Sequence, residues 1–527
     1  MTADWWRGAV IYQIYPRSFF DMTGTGIGDL PGVTQKLEYI ADLGVDGIWL
    51  SPFFTSPMKD FGYDVADYRD VDPIFGTLRD FDTLLEKAHD VGLKVIIDQV
   101  YSHTSDQHPW FKESRESRYG PMADWYTWAD PKPDGTPPNN WLSVFGGPAW
   151  RWDTQRRQYY LHSFLAEQPD LNFNNPAVHR EVLDVARFWL DRGVDGFRLD
   201  VANYYYHDVE LRDNPPIGTI GHVRPAQFQR HLYDRSRPET LVFVEEFRAL
   251  LDQYPDRMCV AEIDSSNPTT RAVEYTLGEN RLHTAYNFQF LRSETLTPSL
   301  IREELEQWQR AEAWPSWAFS NHDVVRAVTR WGGAEPTQAF AKQLLMLLTC
   351  LRGTVFLYQG DELGLPQANV AFEDLQDPEA IRFWPNNLGR DGARTPIPWI
   401  GAAHHGQFTL GTPWLPVDEA HLPLAVDHQE EDAFSTLNFC RALLRQRKGT
   451  PTLVKGTLHF QDAPEPLLVF DRQLGEDHLR CFFNLSDAPV VTTAPTFSEI
   501  LPIDLGGVVN GDTLYLPPHG ALVGRIG

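Results

Sequence analysis

Residues 34–43 (TQKLEYIADL) place Leu37, Ile40 and Ala41 at helical spacing, and Gly44 ends the helix before the apolar run VDGIWLS. The same unit returns at 82–98, where DTLLEKAHDVG precedes LKVIID, and at 181–200, where EVLDVARFWLDRG precedes VDGFRLD. Strands that read as nearly unbroken apolar runs are those covered on both faces, as in a parallel sheet. Fainter copies are VIYQIYP (10–16), RMCVAEI (257–263), HTAYNFQF (283–290), SWAFSNHD (316–323) and GTVFLYQGDELG (353–364). Eight strands is the number that closes a (β/α)8 barrel. GTGIGDL (24–30) superficially matches a glycine-rich phosphate loop but lacks the strand-then-helix setting, so a nucleotide-binding open sheet is a distant second reading.

Two stretches interrupt the alternation. Residues 104–173, rich in Pro, Trp and Asn, are too long for an ordinary βα loop and read as an inserted subdomain after the third strand. Residues 203–240 read as an enlarged loop after the fourth. Beyond Lys448 the pattern becomes short strands with turn residues, TLVKGTLHF, PLLVFDRQ and HLRCFFNLS. The expected fold is therefore α/β: a (β/α)8 barrel over 1–103 and 174–449, subdomain 104–173, and a C-terminal antiparallel β-domain over 450–527.

Composition alters this picture little. The formal charge of −26 argues against nucleic acid or an anionic membrane as partner, leaving a neutral ligand. Aromatic residues, 13% of the chain, supply flat faces for sugar rings as readily as core. Four scattered cysteines fit neither a disulfide framework nor a zinc site and read as buried thiols. The start, MTADWWRGAV, lacks a basic stretch followed by an apolar core, and no long apolar run follows, so a soluble cytoplasmic protein is expected. Nothing fixes the oligomeric state.

Catalytic groups of barrels sit at the C-terminal ends of strands. Asp98 and His103 follow the third strand, Arg198 and Asp200 the fourth, Glu262 the fifth, His322 and Asp323 the seventh. Arg198 and Asp200 project to the same side, so the guanidinium favours an ionised Asp200. Glu262, among Val260, Ala261 and Ile263, is set to keep its proton. One ionised and one protonated carboxyl is the pair a retaining glycosidase uses. A structural Arg198–Asp200 ion pair beside an exposed Glu262 is the plainer alternative.

The segments DQVYSH (98–103), GFRLD (196–200), AEI (261–263) and SNHD (320–323) resemble, in order, four signature regions of the α-amylase family, and QPDLN (168–172) resembles a fifth in the form carried by oligo-1,6-glucosidases and bacterial α-glucosidases. WWRGAVIYQIYPRSFFD, SPFFTSP, FGYDVADY and GARTPIPW extend the likeness over almost the whole chain. The resemblance implies Asp200 as nucleophile, Glu262 as general acid and base, and Asp323 as the third carboxylate that grips sugar hydroxyls. It further implies that Arg198 orients Asp200, that His103 and His322 donate to hydroxyls, that Asp98 supports the site from behind, and that Tyr63 stacks on glucose. Asp64 and Arg394 would clamp the far end of the ring, closing the cleft into a pocket that releases single terminal units, with Phe145 and Phe164 as walls.

Departures bear on metal and linkage. Ser102 stands where the family usually carries asparagine, which weakens any metal bridging there. The loop 21–29 resembles a calcium or magnesium site with Asp21, Thr23, Thr25, the Ile27 carbonyl and Asp29 as ligands, yet two carboxylates make a weak hard-cation site. No cofactor is required for the chemistry. Val201 after the nucleophile goes with α-1,6 cleavage in this subgroup, whereas ANYYYHDVELRDNPP resembles the loop of α-1,4-preferring enzymes that transfer glucose to alcohols. The expectation is an exo-acting α-glucosidase on short neutral α-glucosides, with transfer to alcohol acceptors. An oligo-1,6-glucosidase or sucrose-processing enzyme is the alternative within the class, and a non-catalytic barrel that binds a partner is the alternative outside it.

Overall fold

The computed structural model describes residues 4–218, 223–333 and 336–527. Eight parallel strands form one sheet: β1 (Val10–Ile14), β2 (Gly47–Leu50), β3 (Lys94–Gln99), β4 (Gly196–Leu199), β5 (Met258–Ala261), β6 (Thr284–Ala285), β7 (Ser316–Ala318) and β8 (Thr354–Tyr358). They run in the order β6-β5-β4-β3-β2-β1-β8-β7, and a parallel bridge between Tyr286 and Ser316 joins the ends. The strand expected over 283–290 is only two residues long. Its continuation turns into the helix Phe288–Arg292, because the Asn287 side chain accepts the Gln289 and Phe290 N–H groups and caps it.

Helices alternate with the strands. The one expected at 34–43 begins earlier, at Leu30, and is broken at Lys36 into Leu30–Gln35 and Leu37–Leu43. Gly44 (φ 93°) and Gly193 (φ 105°) end the helices before β2 and β4 in the left-handed conformation that glycine adopts without strain.

Strand periodicity carries the interior of the barrel up to its chemistry. Ile11, Trp49, Ile96, Met258, Val260 and Phe356 share one inner cluster. Two residues further along the same inward rows stand Gln13, Ser51, Asp98 and Glu262, where packed apolar layers give way to polar groups.

Between β3 and the helix Pro176–Arg192, the three-stranded antiparallel sheet Trp128–Ala129, Gln158–Leu161 and Trp150–Asp153 builds a small unit with its own apolar cluster. The 203–240 segment is held to it by Asn140, whose side chain exchanges bonds with the Asn214 backbone (both 2.9 Å) and whose backbone N–H donates to Asp213 Oδ1 (3.0 Å). After the helix Pro451–Lys455, two antiparallel sheets of five and three strands make up the C-terminal part. Among the described residues no helix is long and apolar enough to cross a membrane, and all four cysteines are buried and free.

Candidate active site

Arg198, buried at the end of β4, organises the mouth of the barrel. Its Nη1 donates to both oxygens of Asp98 (2.9 and 3.1 Å) and to Asp200 Oδ1 (2.5 Å), while Nη2 donates to Glu262 Oε2. Three carboxyls from β3, β4 and β5 thus converge on one guanidinium. Glu262 is only 7% exposed and Asp200 6%. The arrangement of an isolated Arg198–Asp200 pair beside an exposed Glu262 is therefore not the one adopted. The backbone between them is strained: Val201, β-branched, has φ 33° and ψ 51°, and its N–H points at Glu262 Oε2 (3.3 Å).

Burial pushes the Glu262 carboxyl well above the usual range, and Asp200 and Asp323 add to this against the pull of Arg198. A hydrogen bond between Glu262 and Asp200 favours the proton on Glu262 and the charge on Asp200. Asp200 is itself raised to about 6 by burial, opposed by Arg198, and Asp98 likewise to about 6. Glu262 is thus the proton donor of the pair and Asp200 the acceptor.

His322 lies between two tyrosine rings, Tyr63 (5.4 Å, 4°) and Tyr15 (5.6 Å, 18°). Gln13 on β1 donates to Nδ1 (2.8 Å), which assigns the proton to Nε2; this nitrogen meets Tyr63 Oη (2.7 Å) and Asp323 Oδ2 (3.2 Å), and Tyr63 in turn donates to Asp98 (3.2 Å). Burial lowers His322 to about 3, so the ring is neutral at ordinary pH. Asp323, its side chain 31% exposed, is bonded by Arg394 Nη2 (2.7 Å) and approached by Arg390 Nη1 (3.6 Å). Burial alone would raise it, but His322, Arg394 and Arg390 beside it hold it well below the usual carboxylate range.

His103 is committed locally. Its Nε2 donates to the Tyr63 carbonyl (3.0 Å) and its Nδ1 accepts from Ser102 Oγ (2.9 Å), so the serine that replaces the expected asparagine orients the ring. Burial lowers it to about 4. Phe164 packs on His103 (5.2 Å) and Phe145 on Phe164 (6.2 Å).

Asp64 and Arg394, expected to clamp the far end of the ring, are each bonded within the protein. Asp64 is fully buried and accepts from Ser56 Oγ, Lys59 N and Asp60 N (2.8–2.9 Å), tying its own loop, while Arg394 turns to Asp323 and the His322 carbonyl. The pair that spans the site lies four residues earlier on each side: Arg390 Nη2 donates to Asp60 Oδ1 (2.9 Å). Gln168 Nε2 donates to Asp60 Oδ2 (3.1 Å), and Arg390 lies over the Phe145 ring (5.1 Å). Asp60, Gln168, Arg390 and Gln13 are the residues missed in the sequence. Gln168 was inside a recognised motif, and Gln13 shares the inward row of β1.

The loop 21–29 is knit by its own donors. Asp21 Oδ1 accepts from Thr23 N, Thr23 Oγ1 and Gly24 N, and Oδ2 from Gly26 N and Thr409 Oγ1. Asp29 caps the helix Leu30–Gln35 through Gly32 N and receives Met22 N, Thr23 N and Thr23 Oγ1. Thr25 Oγ1 donates to the Ile27 carbonyl. In the expected ligand set Asp21, Thr23, Thr25, Ile27 and Asp29, the two carboxylates are thus directed at N–H and O–H groups of the loop and of Thr409. Among the described residues no group of three or more His, Cys, Asp or Glu is arranged to hold a metal ion.

Residues 13–456 match the family model for the alpha-amylase catalytic domain. The chain is 53% identical over 537 residues to a probable alpha-glucosidase of Rhizobium meliloti (strain 1021), covering 99% of this chain and 97% of the relative. It is 38% identical over 563 residues to an oligo-1,6-glucosidase of Heyndrickxia coagulans, covering 98% and 99%. The crystal structure of the alpha-glucosyl transfer enzyme XgtA superposes with a TM-score of 0.95 at 53% identity, covering 99% of each chain.

Proposed function

The chain belongs to the α-amylase family of glycoside hydrolases, and on that footing we propose that it is a retaining, exo-acting α-glucosidase that frees terminal glucose from short α-glucosides and also passes it to hydroxyl acceptors. The observation that carries this is Arg198 with Asp200 and Glu262 on its two terminal nitrogens. Carboxyls that share one guanidinium and a hydrogen bond leave no room for the water of an inverting site, where they stand about 6.5–9.5 Å apart. Asp200 attacks the anomeric carbon and forms a glucosyl ester as the glycosidic bond breaks, and Glu262 gives its proton to the departing oxygen. Glu262, now a carboxylate, takes a proton from the incoming water or alcohol, whose oxygen bonds to the anomeric carbon and releases Asp200.

Asp323, partly exposed and flanked by Arg390 and Arg394, is the group to hold the glucose hydroxyls. The Asp60–Arg390 pair takes the clamp role and closes the far end, which supports release of single units. His322 and Tyr63, stacked and linked through hydrogen bonds, form the floor. Maltose-type α-1,4 bonds are the preferred substrates on this reading. An α-1,6 preference is the second reading, favoured by Val201 and by the name of the Heyndrickxia relative, while that of XgtA supports glucosyl transfer. The reaction as written needs only the chain's own carboxyls, and four free thiols accord with a cytoplasmic setting.

Asp200→Asn is expected to abolish nearly all turnover of p-nitrophenyl α-glucoside with circular dichroism unchanged; wild-type turnover would refute the assignment. Initial rates on maltose, isomaltose and sucrose decide the linkage.

A further inference from the structure

Arg390 stands where three carboxylates converge, and its orientation is imposed from the side away from Asp323. Asp377, fully buried, accepts Arg390 Nη2 on Oδ1 (2.8 Å) and Nε on Oδ2 (3.1 Å), a two-point fork that fixes the plane of the guanidinium. The same carboxylate receives the Arg390 backbone N–H (2.8 Å) and caps the helix Pro378–Phe383 through Glu379 N (3.1 Å). Asp391 Oδ2 takes the Gln376 and Asp377 N–H groups (2.7 and 2.8 Å) and so anchors the loop that bears the fork. Between them the chain folds back at Gly389, φ 67°, where a Cβ would lie 2.5 Å from Asp377 Oδ2, so the close approach depends on glycine. With Nε and one face of Nη2 taken, Nη2 still reaches Asp60 (2.9 Å) and Nη1 is left toward Asp323 (3.6 Å).

We propose that Asp377 is a positioning residue for this site: by forking Arg390 from behind, it aims the guanidinium at Asp60 and Asp323 and thereby sets affinity for the terminal sugar. The inference rests on the reading of Asp60, Arg390 and Asp323 as the grip on that sugar. Arginine has a long, rotamer-rich stem, and a planar fork bound at two points loses that freedom before substrate arrives rather than on binding. A helix cap alone would need only an oxygen, which asparagine supplies equally well.

Asp377→Asn therefore separates the two roles, since it keeps the cap and the volume but loses the charge-assisted fork. The expected result is a KM for maltose raised about ten-fold with kcat within about three-fold, a parallel rise in the inhibition constant of glucose, and recovery of at least half of the loss in Asp377→Glu. In an Arg390→Lys background, where no fork exists, Asp377→Asn should raise KM less than two-fold further. If the asparagine variant does not accumulate folded, Asp377→Ser, which also caps a helix, is read in the same way. An unchanged KM, or a full ten-fold additional effect in the Arg390→Lys background, overturns the proposal. Wild-type turnover of maltose tests the reading of the site separately from these ratios.

Discussion

Arg198 is one cation among three buried carboxyls, and one guanidinium cannot keep Asp98, Asp200 and Glu262 all ionised away from water. A proton stays in the cluster, and burial together with the bond to Asp200 places it on Glu262. The sign of the pH dependence follows. Attack requires ionised Asp200, so kcat/KM falls on acidification through about pH 6; proton donation requires neutral Glu262, so activity falls again as pH rises through its raised pKa. In Glu262→Gln, assayed on a substrate with a phenolate leaving group, the alkaline limb should disappear and the acid limb remain. Persistence of both limbs would move the acid role elsewhere. Arg198→Lys replaces a fork that spans two carboxyls with a point charge, and kcat is expected to fall by about 10²-fold or more, measured by steady-state kinetics.

At the scale of elements, the barrel strands are legible because parallel strands buried on both faces leave continuous apolar runs, and β2, β3 and β4 carry them plainly while β1, β5 and β8 are fainter. β6 and β7 are two and three residues long, too short to write a pattern, and there the residues after the strand were mistaken for its continuation. Asp200, Glu262 and Asp323 could be found from strand ends and motifs. The Asp60–Arg390 contact could not, because its partners are 330 residues apart and Asp64 and Arg394 offer the same chemistry four residues along. Only the fold distinguishes the carboxylate turned into its own loop from the one turned to the site. The 203–240 segment depends similarly on distant partners: Asn140, and Arg224 paired with buried Glu379. Asn140→Ala removes the bonds to Asn214, at about 1 kcal/mol each, and limited proteolysis should nick the segment several-fold faster than in the wild type. Equal nicking would show that the loop is held without it.

At the scale of the molecule, the C-terminal part is not a separate appendage. The strand Leu467–Leu474 is buried on both faces: Leu467 and Val469 join the cluster between the two small sheets, while Leu468 and Phe470 join the main core of the barrel, as do Cys481, Phe483 and Val523. Two buried arginines complete the junction, with no carboxylate ion pair among the described residues. Arg472 donates to the carbonyls of Cys350 (2.6 Å), Gly456 (3.0 Å) and Thr457 (3.2 Å), and Arg447 to those of Thr349, Leu453 and Gly8. Burial lowers Arg472 to about 9, which still leaves it charged at neutral pH. The Cys350 carbonyl at the end of a barrel helix thus finds its donor on the C-terminal sheet, and the Leu453 carbonyl finds its donor on the barrel side, so each part completes backbone bonds of the other. Calorimetry should show one cooperative transition for the whole chain. In Arg472→Ala three carbonyls lose a donor at about 1 kcal/mol each, and with an unfolding entropy of about 2.1 cal/mol/K per residue this lowers Tm by about 3 °C. KM for maltose should not change, because the seam lies outside the strand-end cluster. Two resolved transitions, with the upper one unmoved in the variant, would mean that the barrel holds its fold without the C-terminal sheets.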